Sequence, residues 1–496
     1  MSKTSIILCV LIVYNVAMLA IGLVASRLAK TKEGFLTGNR QLGGIMGALA
    51  YVASNSSAWI LVGYTGFVYA MGLQAIWLAL GILAGFWACW VLAGPKLAAE
   101  AQMRGHLTLV DFLAADAQGG FLRAIRTLAA LLIVFCFCFY IASQFQAAGQ
   151  ALVHSLHLNP LAGLLIGASI VLAYTFLGGF WAVAATDAVQ GTIMALVAII
   201  IPISAVHAAG GFGAIFTALS HQAGYLDIWG HDGASHRQSA LLYAGAGIVL
   251  GGLGVGVASL GQPHNLNWLL SMRDNKARQL GTWISMIWGI AVYAGMGAAA
   301  LAARALYGPP QAGEEERVLF LLSEGLTHPI VQGLVIAAIL AAIMSTVDSQ
   351  LLVTSAAISH DLGLDRLSFD STTDSEARAR ASVWVVRFAI ITVAIVAILL
   401  SLYLPATIFR RVLFAWSALG AAFGPIVVTR ILGVRSQGWA VLAAMTSGFI
   451  LTVIMNAIPD LPGDFGEYLL PWLPSLLILL AFRQKTRLQA ETISGK

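Results

Sequence analysis

Four oxygen-bearing side chains stand close together at 345–349: Ser345, Thr346, Asp348 and Ser349, in the stretch AAIMSTVDSQLLVTSAAIS (341–359). The run that carries them is apolar from Pro329 onward. On a helix Ser345 and Ser349, four apart, share a face; Asp348 is three residues from Ser345, and Thr346 is its neighbour. Small oxygen ligands without His or Cys suit a hard cation. Sodium is the hard cation held as a gradient across membranes. A carboxylate in hydrocarbon costs at least roughly 2.5 kcal/mol on insertion scales, so Asp348 is expected to face a cavity, a partner or an ion. A structural hydrogen bond, or a position near the end of the span, is the alternative. Ser355 has a simpler use, bonding back to a carbonyl one turn earlier.

A second interruption lies in ALAYVASNSSAWILVGYTGFVYAMG (48–72), where Ser54, Asn55, Ser56 and Ser57 occupy the middle of a membrane-length run. A helix broken there frees carbonyls for a cation and offers an N-terminal dipole to a solute carboxylate. The structural alternative is a serine-rich packing interface. Asp187, in FLGGFWAVAATDAVQGTIM (176–194), precedes a helical run and has Gln190 three positions on. That arrangement fits an N-cap in a capping box as well as an ion ligand. The two are compatible, because a cap uses only part of a carboxylate's acceptor capacity.

The elements that must hold these residues are set by composition. Of 496 residues, 59% are hydrophobic and 10% charged, and the mean hydropathy is +0.86. No soluble domain has that balance. Apolar stretches of roughly 20 residues, membrane length, fall near 5–26, 43–70, 73–94, 127–153, 161–181, 188–209, 239–265, 282–306, 328–358, 384–404, 407–432, 439–457 and 467–482. About thirteen spans are expected by the hydropathy criterion. Lipid satisfies no backbone group, so each is a helix; barrel strands would alternate in ten-residue segments. The fold class is all-α and polytopic.

The net charge of +5 does not mark a nucleic-acid binder, because the basic residues are spread over short loops. Arg27, Lys30, Lys32 and Arg40 follow the first span; Lys96, Arg104, Arg123 and Arg126 the third; Arg273, Lys276 and Arg278 the seventh; Arg366, Arg378 and Arg380 the ninth; Arg483, Lys485 and Arg487 the last. The alternate loops hold little beyond Arg237, Arg317, Arg410 and Arg411. The positive-inside rule then puts the N-terminus outside and the C-terminus in the cytoplasm of a cell inner (plasma) membrane protein. The first span, basic mainly after its long apolar stretch, reads as retained rather than as a cleaved signal.

Enzyme signatures such as HExxH, a Walker loop or GxSxG are missing from the sequence. Glycines paired at four-residue spacing, Gly247/Gly251 and Gly252/Gly256, lie in an apolar helix with no strand before them and read as close helix packing. Cys9, Cys89, Cys136 and Cys138 fall inside spans without metal or redox spacing and are expected to pack. The expectation is not an enzyme.

Together these residues resemble the sodium:solute symporter family, with motifs most similar to those of bacterial sodium/proline symporters. The resemblance runs through GNRQLGG (38–44), ASNSSAW (53–59), LGGFWAVAATDAVQG (177–191), GQPHNL (261–266), AAIMSTVDSQLLV (341–353) and AWSALGAAFGP (415–425). It implies a LeuT-type 5+5 fold: an extra helix and loop over 1–42, inverted repeats at 43–209 and 239–432 around an extracellular loop at 210–238, and two further helices with a short tail over 433–496. It implies a sodium site from the carbonyls of Ala53, Ser56 and Ala342 and the side chains of Ser345 and Thr346. A possible second site would use Asp187, Ser345, Asp348 and Ser349. Substrate-facing positions would be Ser57, Trp59 and Tyr140, with Arg40 and Asn55 linked to coupling. Val255 and Ser259 stand where the proline symporters carry two aromatics, which implies a larger, more polar pocket. Asn55 and Ser56 replace an acidic and a larger apolar residue.

The expected function is sodium-coupled import, by alternating access, of a small organic solute such as a proline-like amino acid or small carboxylate. The alternative is a membrane solute sensor of the same fold acting with a signalling partner. Sodium is the coupling ion and no organic cofactor is expected. The partners are the solute, sodium and the bilayer, with no nucleic acid, and nothing demands more than a monomer. A channel would line a continuous pore instead of clustering its polar groups at one depth.

Overall fold

The computed structural model describes residues 2–26, 34, 37–156, 158–175, 179–229, 238–363, 375–403, 407–458 and 462–484. Arg27, Lys30, Lys32, Arg237, Arg366, Lys485 and Arg487 lie outside the described residues, as do the first two of the motif at 177–191. Among those described, helix is nearly the whole secondary structure, as a chain solvated by lipid requires.

In chain order, α1 is Lys3–Ser26 and α2 is Gly44–Ala58, the latter continued by a π turn (Trp59–Tyr64) and a short helix (Thr65–Met71). Gly72, at φ 74°, turns the chain into α3 (Ile76–Trp87), which a second π turn carries on to Arg104. Then come α4 (Gly119–Leu156), α5 (Pro160–Thr175), α6 (Phe180–Ala208), α7 (Gln238–Val257) and α8 (Pro263–Leu270). The chain continues with α9 (Asn275–Tyr307), α10 (Pro329–Ala356), α11 (Ser375–Tyr403), α12 (Ile408–Ile431), α13 (Gly438–Asn456) and α14 (Trp472–Ala481).

Eight helices among the described residues are long and apolar enough to cross a membrane, nine if the bent pair α7 and α8 is one span. The count falls below thirteen partly because 44–104 runs as one helical stretch where hydropathy suggests two spans, and partly because helices such as α5 and α14 are shorter. The loop at 210–238 carries a helix of its own, Gly211–Ser220.

α10 and α12 form the centre, with 83% and 89% of their most apolar windows buried. Helices apolar all round are covered all round. α2 packs against α6, α9 and α10, and α1 lies over α6 and α10. On α1 the buried residues Ile7, Leu11, Tyr14 and Met18 follow helical spacing, while Ile12, Val13 and Val16 face outward. Cys9 also faces outward, so unlike Cys89, Cys136 and Cys138 it is not a packing residue.

Of the two glycine pairs, Gly252/Gly256 meets α3, while Gly247/Gly251 meets the turn at Gly463. A Cβ on Gly81 would stand 1.9 Å from the Gly252 carbonyl oxygen, and one on Gly256 would stand 1.8 Å from that of Gly81. Only backbones without side chains approach so closely.

One of the two readings of Asp187 is overturned as well. Asp187 is not an N-cap: α6 starts at Phe180 behind Gly179, whose extended backbone (φ −163°, ψ 173°) ends the preceding segment. The apolar residues 180–185 extend the helix upstream, leaving Asp187 two turns inside it, fully buried.

Candidate functional site

The cluster at 54–57 breaks its helix at a single residue. Ser57 has φ 49° and ψ −178°, positive φ that a residue with a Cβ adopts only when its surroundings hold it there. The freed amides are covered: the Ala58 N–H donates to Gln144 Oε1 on α4 at 3.1 Å, and the Trp59 N–H to Ser57 Oγ at 3.0 Å. The carbonyls before the break face α10. Ser345 Oγ donates to the Ala53 carbonyl at 3.0 Å and lies 3.2 Å from that of Ala342. Thr346 Oγ1 reaches the carbonyls of Ser54 and Ala342 at 3.0 and 2.9 Å. Ser349 Oγ lies 2.6 Å from Ser54 Oγ.

Oxygens from residues some 290 positions apart thus converge, on α2 and α10, at one depth. Ser56 hydrogen-bonds back to the Val52 carbonyl, and its own carbonyl accepts the Trp59 N–H, leaving one lone pair. Small oxygens without nitrogen or sulfur are a donor set for a hard cation.

Beside this set lies Asp187, both of whose oxygens lack a hydrogen-bond partner among the described residues. α6, which carries it, packs on both α2 and α10. Asp348 is buried on α10 within range of its charge. Tyr14 of α1 closes the group from outside: Gln190 Nε2 donates to its hydroxyl at 3.2 Å, and that hydroxyl donates to Met344 Sδ at 3.7 Å.

The second helix break stands at Gln262 (φ −86°, ψ 111°), where α7 and α8 meet at 53°. Pro263, which has no N–H to lose, opens α8. Gln262 Nε2 donates to the carbonyls of Ala258 and Trp416 at 3.1 and 2.7 Å, and Trp416 Nε1 to that of Val255 at 2.9 Å. Between the two breaks is a cavity bordered by Asn55, Trp59, Tyr140, Val255, Tyr293 and Trp416 together with aliphatic side chains. Four expected solute or coupling positions, Asn55, Trp59, Tyr140 and Val255, come together on it. Ser57 lies just beneath, with Tyr140 Oη 3.5 Å from its Oγ. Ser259 does not border the cavity: its hydroxyl stands over Gly85 of α3, so it adds no polarity to the pocket. Phe409 stacks on Trp59 at 5.6 Å between ring centres and covers it.

At one end of the bundle the short helix Leu109–Leu113 carries a different carboxylate. Asp111 Oδ1 accepts from Arg126 at 2.8 Å; its Oδ2 accepts from the Leu107 and Thr108 amides at 3.0 and 3.3 Å and contacts His360 Nε2 at 3.1 Å. Burial alone would raise its carboxyl, but the His360 bond, the amide bonds and the Arg126 charge hold it well below the usual carboxylate range. Thr108 Oγ1 donates to Asp361 at 3.0 Å. On the same side Arg40 donates to the His106 carbonyl at 2.8 Å.

Sequence reading missed Gln144, Gln262, Tyr14 and the Asp111–His360 group. For the glutamines a signal existed: an amide inside an apolar run needs partners as much as a carboxylate does.

Residues 35–450 match the sequence model of the sodium:solute symporter family. Among curated relatives, the osmoregulated proline transporter of Bacillus subtilis is 30% identical over 462 residues, 92% of this chain and 89% of that protein. The sodium/proline symporter of Escherichia coli is 31% identical, covering 89% and 86%. Among solved structures, a Na+-coupled sialic acid symporter in a substrate-bound outward-open state superposes with a TM-score of 0.78 at 18% identity, over 97% of this chain and 99% of that one. MhsT in complex with L-phenylalanine gives 0.54 at 15%, over 89% and 98%. The fold is the LeuT type.

Proposed function

This chain belongs to the sodium:solute symporter family, which makes it a sodium-coupled importer in a membrane, and we propose that its solute is a proline-like amino acid or a related small carboxylate. The observation that carries this reading is the convergence of the Ala53 and Ser54 carbonyls with the Ser345 and Thr346 hydroxyls. Sodium is received there by the carbonyls of Ala53, Ser56 and Ala342 and by Ser345 and Thr346, whose hydroxyl oxygens turn their lone pairs to the ion. The ion thereby ties α2 to α10 and stabilises the state in which the cavity beside Ser57, Trp59 and Tyr140 opens outward. Coupling is the free energy the two sites share through α2.

A second sodium is held by Asp187 with Ser345, Asp348 and Ser349. Asp187, without a hydrogen-bond partner among the described residues, supports it, because a buried carboxylate left alone is costly. Each charge moved through a 100 mV potential contributes roughly 2.3 kcal/mol, so two ions concentrate a solute far more steeply than one. The end bearing Arg40, Asp111 and His360 is cytoplasmic, the N-terminus external, and the repeats at 43–209 and 239–432 rock against one another. Arg40 fixes the segment entering α2 to the 105–108 turn and so links the site to that gate.

Reconstitution in proteoliposomes tests the proposal. Proline uptake should follow an inward sodium gradient and an inside-negative potential and stop when potassium or choline replaces sodium. Uptake indifferent to that exchange would end it.

A further inference from the structure

The cavity between the two helix breaks has an unusual balance of groups. Among the described residues that border it none carries a charge, four are aromatic (Trp59, Tyr140, Tyr293 and Trp416), and the rest are Asn55 and aliphatic side chains. Two buried donors on its wall, Asn55 Nδ2 and Trp59 Nε1, make no hydrogen bond of normal geometry among the described residues, although Asn55 lies near the Tyr51 hydroxyl. The nearby carbonyls, by contrast, are taken. That of Val255 accepts the Trp416 indole, and those of Ala258 and Trp416 accept the Gln262 amide. Ser57 Oγ already accepts the Trp59 N–H. The wall is therefore rich in waiting donors and in π systems, and short of free carbonyls and of anions.

We infer that this cavity selects a zwitterion whose carboxylate is received by Asn55 Nδ2 and Trp59 Nε1 and whose ammonium is alkylated, held by Tyr140, Tyr293 and Trp416 through cation–π contact. The inference rests on the proposed solute-import function and names its substrate class. A primary ammonium brings three N–H donors, each needing an acceptor when desolvated. A fully methylated ammonium brings none; its charge is spread over methyl groups that aromatic rings attract when water is excluded. Val255 is one of the smaller side chains on this wall.

A methylation series at constant carboxylate tests this directly. Purified protein in sodium chloride is titrated with glycine, N-methylglycine, N,N-dimethylglycine and N,N,N-trimethylglycine, with proline alongside, and thermal stabilisation gives apparent affinity. Affinity should rise along the series, by about tenfold or more from first to last. Tyr293→Leu should flatten the rise, whereas Tyr293→Phe, which keeps the ring, should preserve it. If proline stabilises the protein in sodium while affinity is flat or falls with methylation, the selectivity inference is overturned and the import reading stands. If the rise survives in Tyr293→Leu, the assignment to this cavity is wrong. If neither proline nor any member of the series stabilises the protein or is taken up with sodium, both fall together.

Discussion

Asp111 and Asp187 are both buried carboxylates, 7% and 0% exposed, and the fold surrounds them in opposite ways. Asp111 meets two backbone amides, His360 and Arg126. Asp187 meets no hydrogen-bond donor among the described residues, although the helix that carries it packs on both α2 and α10. A satisfied buried charge is part of the scaffold, and taking away one partner leaves the other uncompensated. A buried charge without a donor is tolerated where an ion supplies what the protein withholds. The difference separates the end of the bundle, where a buried carboxylate is tied to its neighbours, from its middle, where the proposed sodium sites lie.

The largest effect that would break this contrast is on stability. Asp111→Ala should cost roughly 3–5 kcal/mol, the range for halving a buried ion pair, seen as a large fall in the unfolding temperature in sodium-free detergent. Asp187→Asn, which removes a buried charge and keeps its shape, should change that temperature little or raise it. Equal destabilisation by both would erase the distinction.

Next in size is sodium affinity. Ser345→Ala deletes an oxygen aimed at both the Ala53 and Ala342 carbonyls. Losing a bond to a charged group, worth roughly 1.5–3 kcal/mol, should weaken sodium activation of uptake by about ten- to a hundredfold. Asp187→Asn should instead reduce the steepness of the sodium dependence toward that of one ion. Measuring uptake against sodium concentration distinguishes weakened binding from a lost ion, and an unchanged curve in both variants would remove the ion from this part of the molecule.

Half of the contrast was readable in the sequence. In hydrocarbon a polar side chain has no cheap place, so Ser54–Ser57 and Ser345–Ser349 announced themselves, and the structure joins them. The second break was hidden, because only Gln262 and Pro263 interrupt a glycine-rich run that packing already explains. The Asp111 group left no trace at all. Loop residues near water are polar as a rule, and the pairing of Asp111 with His360 spans 249 positions, a distance no local pattern reports. Asp187 is conspicuous for its charge, but the sequence leaves a cap as open as an ion ligand, because Gln190 mimics a capping box that the helix start at Phe180 rules out.

Acidification sharpens the comparison from another side. The Asp111 carboxyl is held below its ordinary value in the folded chain, so the unfolded chain binds a proton at a higher pH than the folded one does. Its contribution to stability is therefore complete above roughly pH 4, the unfolded value, and is lost as pH falls through that value toward the lower folded one. Unfolding temperatures measured downward from pH 5 should decline in the parent and decline less in Asp111→Asn. Matching slopes would mean that the carboxylate is not held ionised by His360 and Arg126.

The smallest effect concerns Tyr140, which lies between the two cases. Its hydroxyl already has a partner in Ser57 Oγ, but at 3.5 Å, the long limit of a hydrogen bond. Little energy is stored in that contact, so Tyr140→Phe should shift stability by under about 1 kcal/mol. The ring remains on the cavity wall, and any cation–π contribution to the solute remains with it. What changes is the hold on the left-handed backbone at Ser57, and through it the angle between α2 and the turn that follows. Solute affinity should fall a few-fold while the sodium dependence keeps its steepness, since the Ala53 and Ser54 carbonyls lie on the other side of the break. A change in sodium steepness in Tyr140→Phe would mean that Ser57 transmits between the two sites instead of separating them.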